Sequence, residues 1–263
     1  MARSAAQRRR YCGEVVAMLC SVTSLALLLL MSSTLVSPAE TKEKTPVLVE
    51  LFTSEGCSSC PPADALLKEL QTAQPVPGAR IVALGLHVDY WNYIGWTDRF
   101  SSPRFTARQE NYSRRFTQGP YTPQVVVDGA TEFVGSDRRA ALRTIAAAAR
   151  KPKPFRVELM RRDNKLHVLV EGARLEPSDI VFAVIENNVE TKVLRGENQG
   201  RVLRHTAVAR NLDVIGSLTQ EKWEGEVPLP IPGNGKNLEA MVFVQSHRTG
   251  QVLGVDSISL QGQ

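Results

Sequence analysis

Cys57 and Cys60 stand three positions apart, as Cys57-Ser58-Ser59-Cys60, between a short apolar run (Val47 to Phe52) and a helix start marked by Pro61-Pro62. No other feature of the chain restricts its fold and chemistry as much. Two thiols at this spacing on the first turn of a helix can close a small disulfide ring. Unpaired backbone N–H groups and the helix dipole there favour a thiolate on the outer sulfur. Cys57 is therefore read as the attacking thiol, and Cys60 as the resolving thiol that releases a mixed disulfide. Glu55 opposes a thiolate while Ser58 and Ser59 can donate to one, so oxidase and reductase directions both stay open. A fixed staple is the competing reading, but so short a loop restricts the unfolded chain only modestly.

The compartment follows from the N-terminus. Arg3 and Arg8 to Arg10 precede an apolar stretch from Val15 to Met31, and Ser37-Pro38-Ala39 supplies small residues for cleavage. Residues 1–39 read as a secretory signal peptide, which makes the body periplasmic or secreted. An uncleaved anchor is the alternative, and membrane contact would then run through that segment only. Cys12 and Cys20 fall within it, leaving Cys57 and Cys60 as the mature pair. A framework of several disulfides is thereby excluded. A four-ligand zinc site would have to recruit from His87, His167, His205 and His247 or from carboxylates, none of them at ligand spacing beside the cysteines. No cofactor is expected. Beyond residue 39, 28 basic residues face 26 acidic ones, a balance that gives no support for a nucleic-acid partner.

After a polar leader at 40–46, Val47 to Phe52 suits a buried parallel strand. Ala63, Leu66, Leu67 and Leu70 fall at helical spacing, and Ile81 to Val88 is a second buried strand. A helical segment over 104–116, a strand over 124–127, an Asp128-Gly129 hairpin turn, a strand over 131–134 and an alanine-rich helix over 138–150 follow. The order βαβαββα, with a cysteine pair after the first strand, is that of a minimal thioredoxin fold, and 40–150 is taken as that domain. Lys151-Pro152-Lys153-Pro154 has the composition of a stiff linker. Residues 155–263 read as short strands separated by turns, including Asp163-Asn164 and Gly233-Asn234-Gly235, and predict a small antiparallel sandwich-like domain.

Further site candidates lie around the pair. Glu50, seven residues before Cys57, is read either as a buried acid that shuttles the Cys60 proton or as a solvent-facing edge residue. Thr122-Pro123 opens a strand, and in a thioredoxin fold such a proline faces the cysteines in cis and exposes the preceding backbone to substrate. Tyr90, Trp91, Tyr93 and Trp96 crowd into seven residues. Tyr90, Trp91 and Trp96, with Thr122, can wall a groove for a peptide or a small thiol; the bland reading has the aromatics capping the core.

At Glu50 to Asp64 (ELFTSEGCSSCPPAD), His87 to Phe100 (HVDYWNYIGWTDRF), Arg108 to Tyr112 (RQENY) and Tyr121 to Gly129 (YTPQVVVDG), the sequence resembles an uncharacterised family of exported bacterial proteins with a thioredoxin-like fold, a domain of unknown function. The resemblance implies that Cys57, Cys60 and Pro123 occupy thioredoxin active-site positions, and it supplies no substrate. The chain departs from ordinary thioredoxins in having Gly56 before the first cysteine, Ser58-Ser59 between the two, and one extra residue before Cys57.

The expected function is an exported thiol-disulfide oxidoreductase whose partner is a protein or small-molecule thiol or disulfide. Two alternatives stand beside it. One is a soft-metal (copper) binding protein or metallochaperone using both thiolates with His87. The other is a non-catalytic binding protein on a thioredoxin scaffold.

Overall fold

The computed structural model describes residues 43–172, 176–229 and 237–261. The expected signal segment over 1–39, with Cys12 and Cys20, and the Gly233-Asn234-Gly235 turn lie outside the described residues.

The apolar run of the first strand lies in β1 (Thr45–Thr53), whose last seven residues are all buried. A strand without alternation needs cover on both faces, and β1 is interior to its sheet. It pairs in parallel with β2 (Ala79–His87) and antiparallel with β3 (Gln124–Val127). Between β1 and β2, helix α1 (Pro61–Ala73) buries Ala63, Leu66, Leu67 and Leu70, and its two leading prolines fill positions whose N–H would have no partner inside the helix. Helix α2 (Pro103–Ser113) is capped by the Ser102 side chain, which accepts from the Arg104 N–H, and buries Phe105, Gln109 and Tyr112. Asp128 and Gly129 both have positive φ, 50° and 64°, as a tight hairpin between β3 and β4 (Thr131–Val134) requires. Asp137 caps α3 (Arg138–Ala149) by accepting from Ala140 N–H.

The second half contributes β5 (Phe155–Arg162), β6 (Lys165–Gly172), β7 (Ser178–Glu186), β8 (Val189–Lys192), β9 (Val202–His205), β10 (Val208–Leu218), β11 (Lys222–Pro228), β12 (Leu238–Ser246) and β13 (Val252–Ser259). These strands do not stand apart from the first half. One mixed sheet runs β13-β12-β7-β10-β2-β1-β3-β4, across the boundary expected at 151–154, and the described residues from Glu43 onward form one compact unit. The expected division thus changes from two domains to one body, for a reason written in the strands. Ile180 to Ile185 and Ala240 to Val244 are continuous apolar runs buried throughout, so both of their faces need cover. On one face Val181, Ala183, Ile185, Met241 and Phe243 join the core of the first half. On the other, Ile180, Phe182, Val184, Ala240 and Val242 pack against a separate antiparallel sheet, β11-β6-β5, through Phe155, Val157, Leu166, Val168 and Val170. That small sheet alternates buried and exposed residues, as a strand with one wet face does.

The halves join at Gly85, paired in parallel with Val208, where the Gly85 N–H donates to Ala207 O at 2.7 Å. A Cβ on Gly85 would stand 3.1 Å from Thr206 O and 3.3 Å from Ala207 O, so this close approach favours a residue without one. The consequence for the site is that β8, β9 and the loop between them are carried to the C-terminal end of β1.

Candidate functional site

Beyond Thr53 the chain leaves the sheet and turns. Gly56 N–H donates to Ser54 Oγ at 3.1 Å and Cys57 N–H to Ser54 O at 3.2 Å. Cys57 and Cys60 are joined as a disulfide. Helix α1 begins only at Pro61, with Cys60 as its N-cap, so both cysteines precede it. Its first two residues carry no N–H, and Ala63 and Asp64 spend theirs on Cys60 O at 2.8 and 3.1 Å. The support expected for Cys57 from the helix start is therefore absorbed elsewhere, and among the described residues its sulfur has Ser59 Oγ as a polar neighbour at 3.4 Å.

Both cysteines are fully buried, while Ser58 and Ser59 between them are exposed. The cover comes from two sides. Trp91 lies over Gly56, and its Nε1 donates to Thr122 Oγ1 at 2.8 Å, which ties the aromatic loop to the Thr122-Pro123 peptide, a cis bond. From the other side, the loop between β8 and β9 descends on the cysteine turn. The buried Asn198 side chain donates to Glu55 O at 2.9 Å and Cys57 O at 3.0 Å, and Arg201 holds the Asn198 carbonyl at 2.7 Å. Glu197 accepts from Ser58 N–H at 3.1 Å, and hydrogen bonding to Ser58 holds its carboxyl below the usual range.

The structure brings Cys57, Cys60, Thr122, Trp91 and Trp96 together, the last through its Nε1 donating to Glu55 at 2.8 Å. Tyr90 lies beside Trp91 and donates to Gln109 at 3.1 Å; burial is the main cause that pushes its phenol up to about 12. Tyr93 is 84% exposed and takes no part.

Glu50 is the correction. Side chains alternate along β1: Thr53 Oγ1 donates to Asp64 of α1 at 3.2 Å, whereas Glu50 shares the opposite face with Phe52, whose ring meets Tyr112 of α2 edge-on at 6.1 Å. Glu50 is buried, not solvent-facing, and accepts from Arg108 Nε and Tyr112 Oη, each at 2.6 Å. Burial opposes the charge on Arg108, but the adjoining Glu50 carboxylate outweighs it and raises the guanidinium further. Glu50 is thus engaged on the far face of the strand and is not the acid beside Cys60.

The groups that do lie behind the cysteine turn are Glu55, Asp64, His87, Asp98 and His205, all buried. His87 Nδ1 bonds Asp98 at 2.6 Å, and the same Asp98 oxygen accepts from Glu55 N–H at 2.9 Å. Burial pushes the Asp98 carboxyl up, but the charge and hydrogen bond of His87 and two backbone N–H groups together bring it below its usual range. His205 stands between two carboxylates, with Nδ1 3.4 Å from Asp64 and Nε2 3.5 Å from Glu55, and its ring meets His87 edge-on at 4.7 Å. Burial opposes a charge on His205, yet the Asp64 hydrogen bond and the attraction of the Asp64 and Glu55 carboxylates prevail and push it up to about 9. Among the described residues, Glu55 Oε1 and His205 Nε2 have no hydrogen-bond partner. Among the described residues, the atoms spaced to hold a metal ion belong to Asp64, His87 and His205, so His87 is grouped with these and not with the cysteines.

Sequence reasoning offered His87 as a ligand beside the cysteines and named His205 and Glu55 singly, but did not bring the five together as a group. Asp64 and Asp98 lie in stretches already singled out around the cysteines and aromatics, and Glu55 adjoins Cys57. His205 comes from the second half, and nothing local to it points to this site.

The model of a family described as protein of unknown function (DUF1223) matches residues 48–245. No curated protein matches the chain. Among solved structures, a crystal structure of a protein from Agrobacterium tumefaciens is 25% identical, with a TM-score of 0.71, covering 84% of this chain and 97% of that one. A domain of the outer membrane lipoprotein Omp28 from Porphyromonas gingivalis is 15% identical over 42% of this chain and 98% of that one, with a TM-score of 0.24.

Proposed function

The chain belongs to the DUF1223 family, and from that premise we propose that it is an exported, periplasmic or secreted thiol-disulfide oxidoreductase on a thioredoxin-like half, with Cys57 and Cys60 as its redox pair. The observation that carries the reading is the Cys57–Cys60 disulfide at the C-terminal end of an interior strand, with Trp91 bridging from the turn to Thr122, the residue before Pro123. In the reductive direction the Cys57 thiolate attacks a substrate disulfide, which forms a mixed disulfide and releases one substrate thiolate. The Cys60 thiolate then attacks the Cys57 sulfur, the mixed disulfide breaks, and the second substrate thiolate leaves. Two electrons pass from protein to substrate; the oxidative direction runs the same bonds in reverse.

The partner is a protein or small-molecule thiol or disulfide, and Tyr90, Trp91, Trp96 and Thr122 supply the wall it meets. Both sulfurs being buried, entry requires the loop at 194–201 to move aside. The same burial favours a second reading, a permanent staple that never cycles. The reduction potential of the couple separates the two. Equilibration with glutathione or dithiothreitol is expected to give a value between about −270 and −120 mV, and a value below about −300 mV would replace the enzyme by the staple.

A further inference from the structure

We infer that Asp64, His87 and His205 form a binding site for one divalent metal ion of the zinc class, with Asp98 and Glu55 as the carboxylates that orient the two histidines. The site stands whether or not the cysteine pair cycles.

Four observations carry it. First, a histidine that binds a metal through one ring nitrogen ordinarily gives the other N–H to a carboxylate or carbonyl. His87 has that arrangement: Nδ1 is on Asp98 at 2.6 Å, which leaves Nε2 as the ligand atom. His205 repeats it in mirror image, with Nε2 toward Glu55 at 3.5 Å and Nδ1 toward Asp64 at 3.4 Å. Second, the spacing is compatible with coordination. Ligands bound about 2.0–2.1 Å from a tetrahedral zinc stand about 3.3–3.4 Å apart, and His205 Nδ1 and Asp64 Oδ1 are 3.4 Å apart. Ligand atoms of Asp64, His87 and His205 all fall within 4.8 Å of one another, so a contraction on the order of 1 Å brings the set to bonding distance.

Third, Glu55 Oε1 and His205 Nε2, on side chains 0% and 1% exposed, face each other at 3.5 Å and make no hydrogen bond among the described residues. Unpaired buried polar atoms are costly. A metal on Nδ1 fixes the His205 tautomer with its proton on Nε2, aimed at the bare Glu55 oxygen, and satisfies both. Fourth, three buried carboxylates meet here, and among the described residues their ion-pair partners are His87 and His205 alone. A divalent cation neutralises that excess without lysine or arginine. Imidazole and carboxylate donors suit zinc, iron(II), cobalt(II) or nickel(II) better than a soft copper(I) ion, which prefers sulfur. Three protein ligands leave a fourth tetrahedral position for water.

The test uses the purified full chain, treated with chelator, its cysteine pair oxidised, and titrated with Co2+. One equivalent is expected to bind, with visible bands of nitrogen and oxygen ligation and no thiolate charge-transfer band, and Zn2+ is expected to displace it. Cys57→Ser with Cys60→Ser should bind equally well. Asp98→Asn or Glu55→Gln should weaken binding about 10- to 100-fold, as loss of an orienting carboxylate does, and His205→Gln should abolish it. The wild-type cobalt form should show two strongly shifted, exchangeable imidazole N–H proton resonances, a readout that stands even if a histidine variant does not fold. No bound cobalt, binding that depends on the cysteines, binding that survives in folded His205→Gln, or fewer than two shifted N–H signals would overturn the site.

Discussion

If the loop at 194–201 guards the disulfide, weakening its latch must speed the chemistry beneath it. Asn198→Ala removes two hydrogen bonds from a fully buried amide, to Glu55 O at 2.9 Å and Cys57 O at 3.0 Å, and leaves the Arg201 donor without its acceptor. Each such bond is worth about 0.5–1.5 kcal/mol net, and a carbonyl left buried without a donor costs about 1–3 kcal/mol. Once the loop lifts, water satisfies the same carbonyls, so the penalty falls on the closed state alone. Taking about 2 kcal/mol for the sum, the opening equilibrium shifts by about 30-fold. The assay is the rate of native-state disulfide reduction by dithiothreitol at fixed pH, followed by quenched thiol labelling, with the unfolding midpoint measured in parallel. A rise of roughly 10- to 30-fold is expected where reduction proceeds through loop opening. A rate within twofold of wild type, in a protein shown to fold, would refute the guard and leave the sulfurs reachable by another route.

Cys57→Ser should abolish turnover of a dithiol substrate, whereas Cys60→Ser should accumulate a mixed disulfide visible on a non-reducing gel; no adduct with any extract would count against Cys57 as the attacking thiol. Glu50→Ala should cost about 3–5 kcal/mol in denaturant unfolding, because it strands the charge of Arg108, which is 12% exposed. Glu50→Gln should leave the reduction potential of the cysteine pair unmoved, and a shift would restore Glu50 as the acid of the couple. Gly85→Val should destabilise by about 1–3 kcal/mol through the clash with Thr206 O, seen as a lowered melting temperature, and an unchanged value would mean that the seam yields freely.

The elements of the first half are legible because each is announced locally. An apolar run marks β1, two prolines mark the start of α1, and Asp128-Gly129 marks a hairpin, all within about six residues of what they specify. The join between the halves has no such marker. Ile180 to Ile185 shows that β7 is covered on both faces, but which element covers the second face depends on Gly85 accepting the Thr206–Ala207 backbone, and that contact spans more than a hundred residues. Reading the second half as a separate sandwich follows from its turn signals, which report how strands connect and not what they pack against.

The same limit explains why the cysteines were found and the cluster behind them was not. Cys57 and Cys60 need only each other, and their spacing states the relation outright. Glu55, Asp64, His87, Asp98 and His205 are each ordinary alone; what makes them unusual is that five ionisable groups share one buried region. Burying them without lysine or arginine is costly unless each is paired, and a cationic neighbour reaches Asp64 and Glu55 only when β9 delivers His205 between them. Residues from both sides of the expected linker therefore build one site. A cut at 151–154 would remove His205 and Asn198 together, and with them the partner of two carboxylates and the cover of the disulfide. The first half expressed alone should for that reason be less stable than the chain as a whole and reduce its disulfide faster, and a fragment matching the intact chain in both would show that the second half is merely attached.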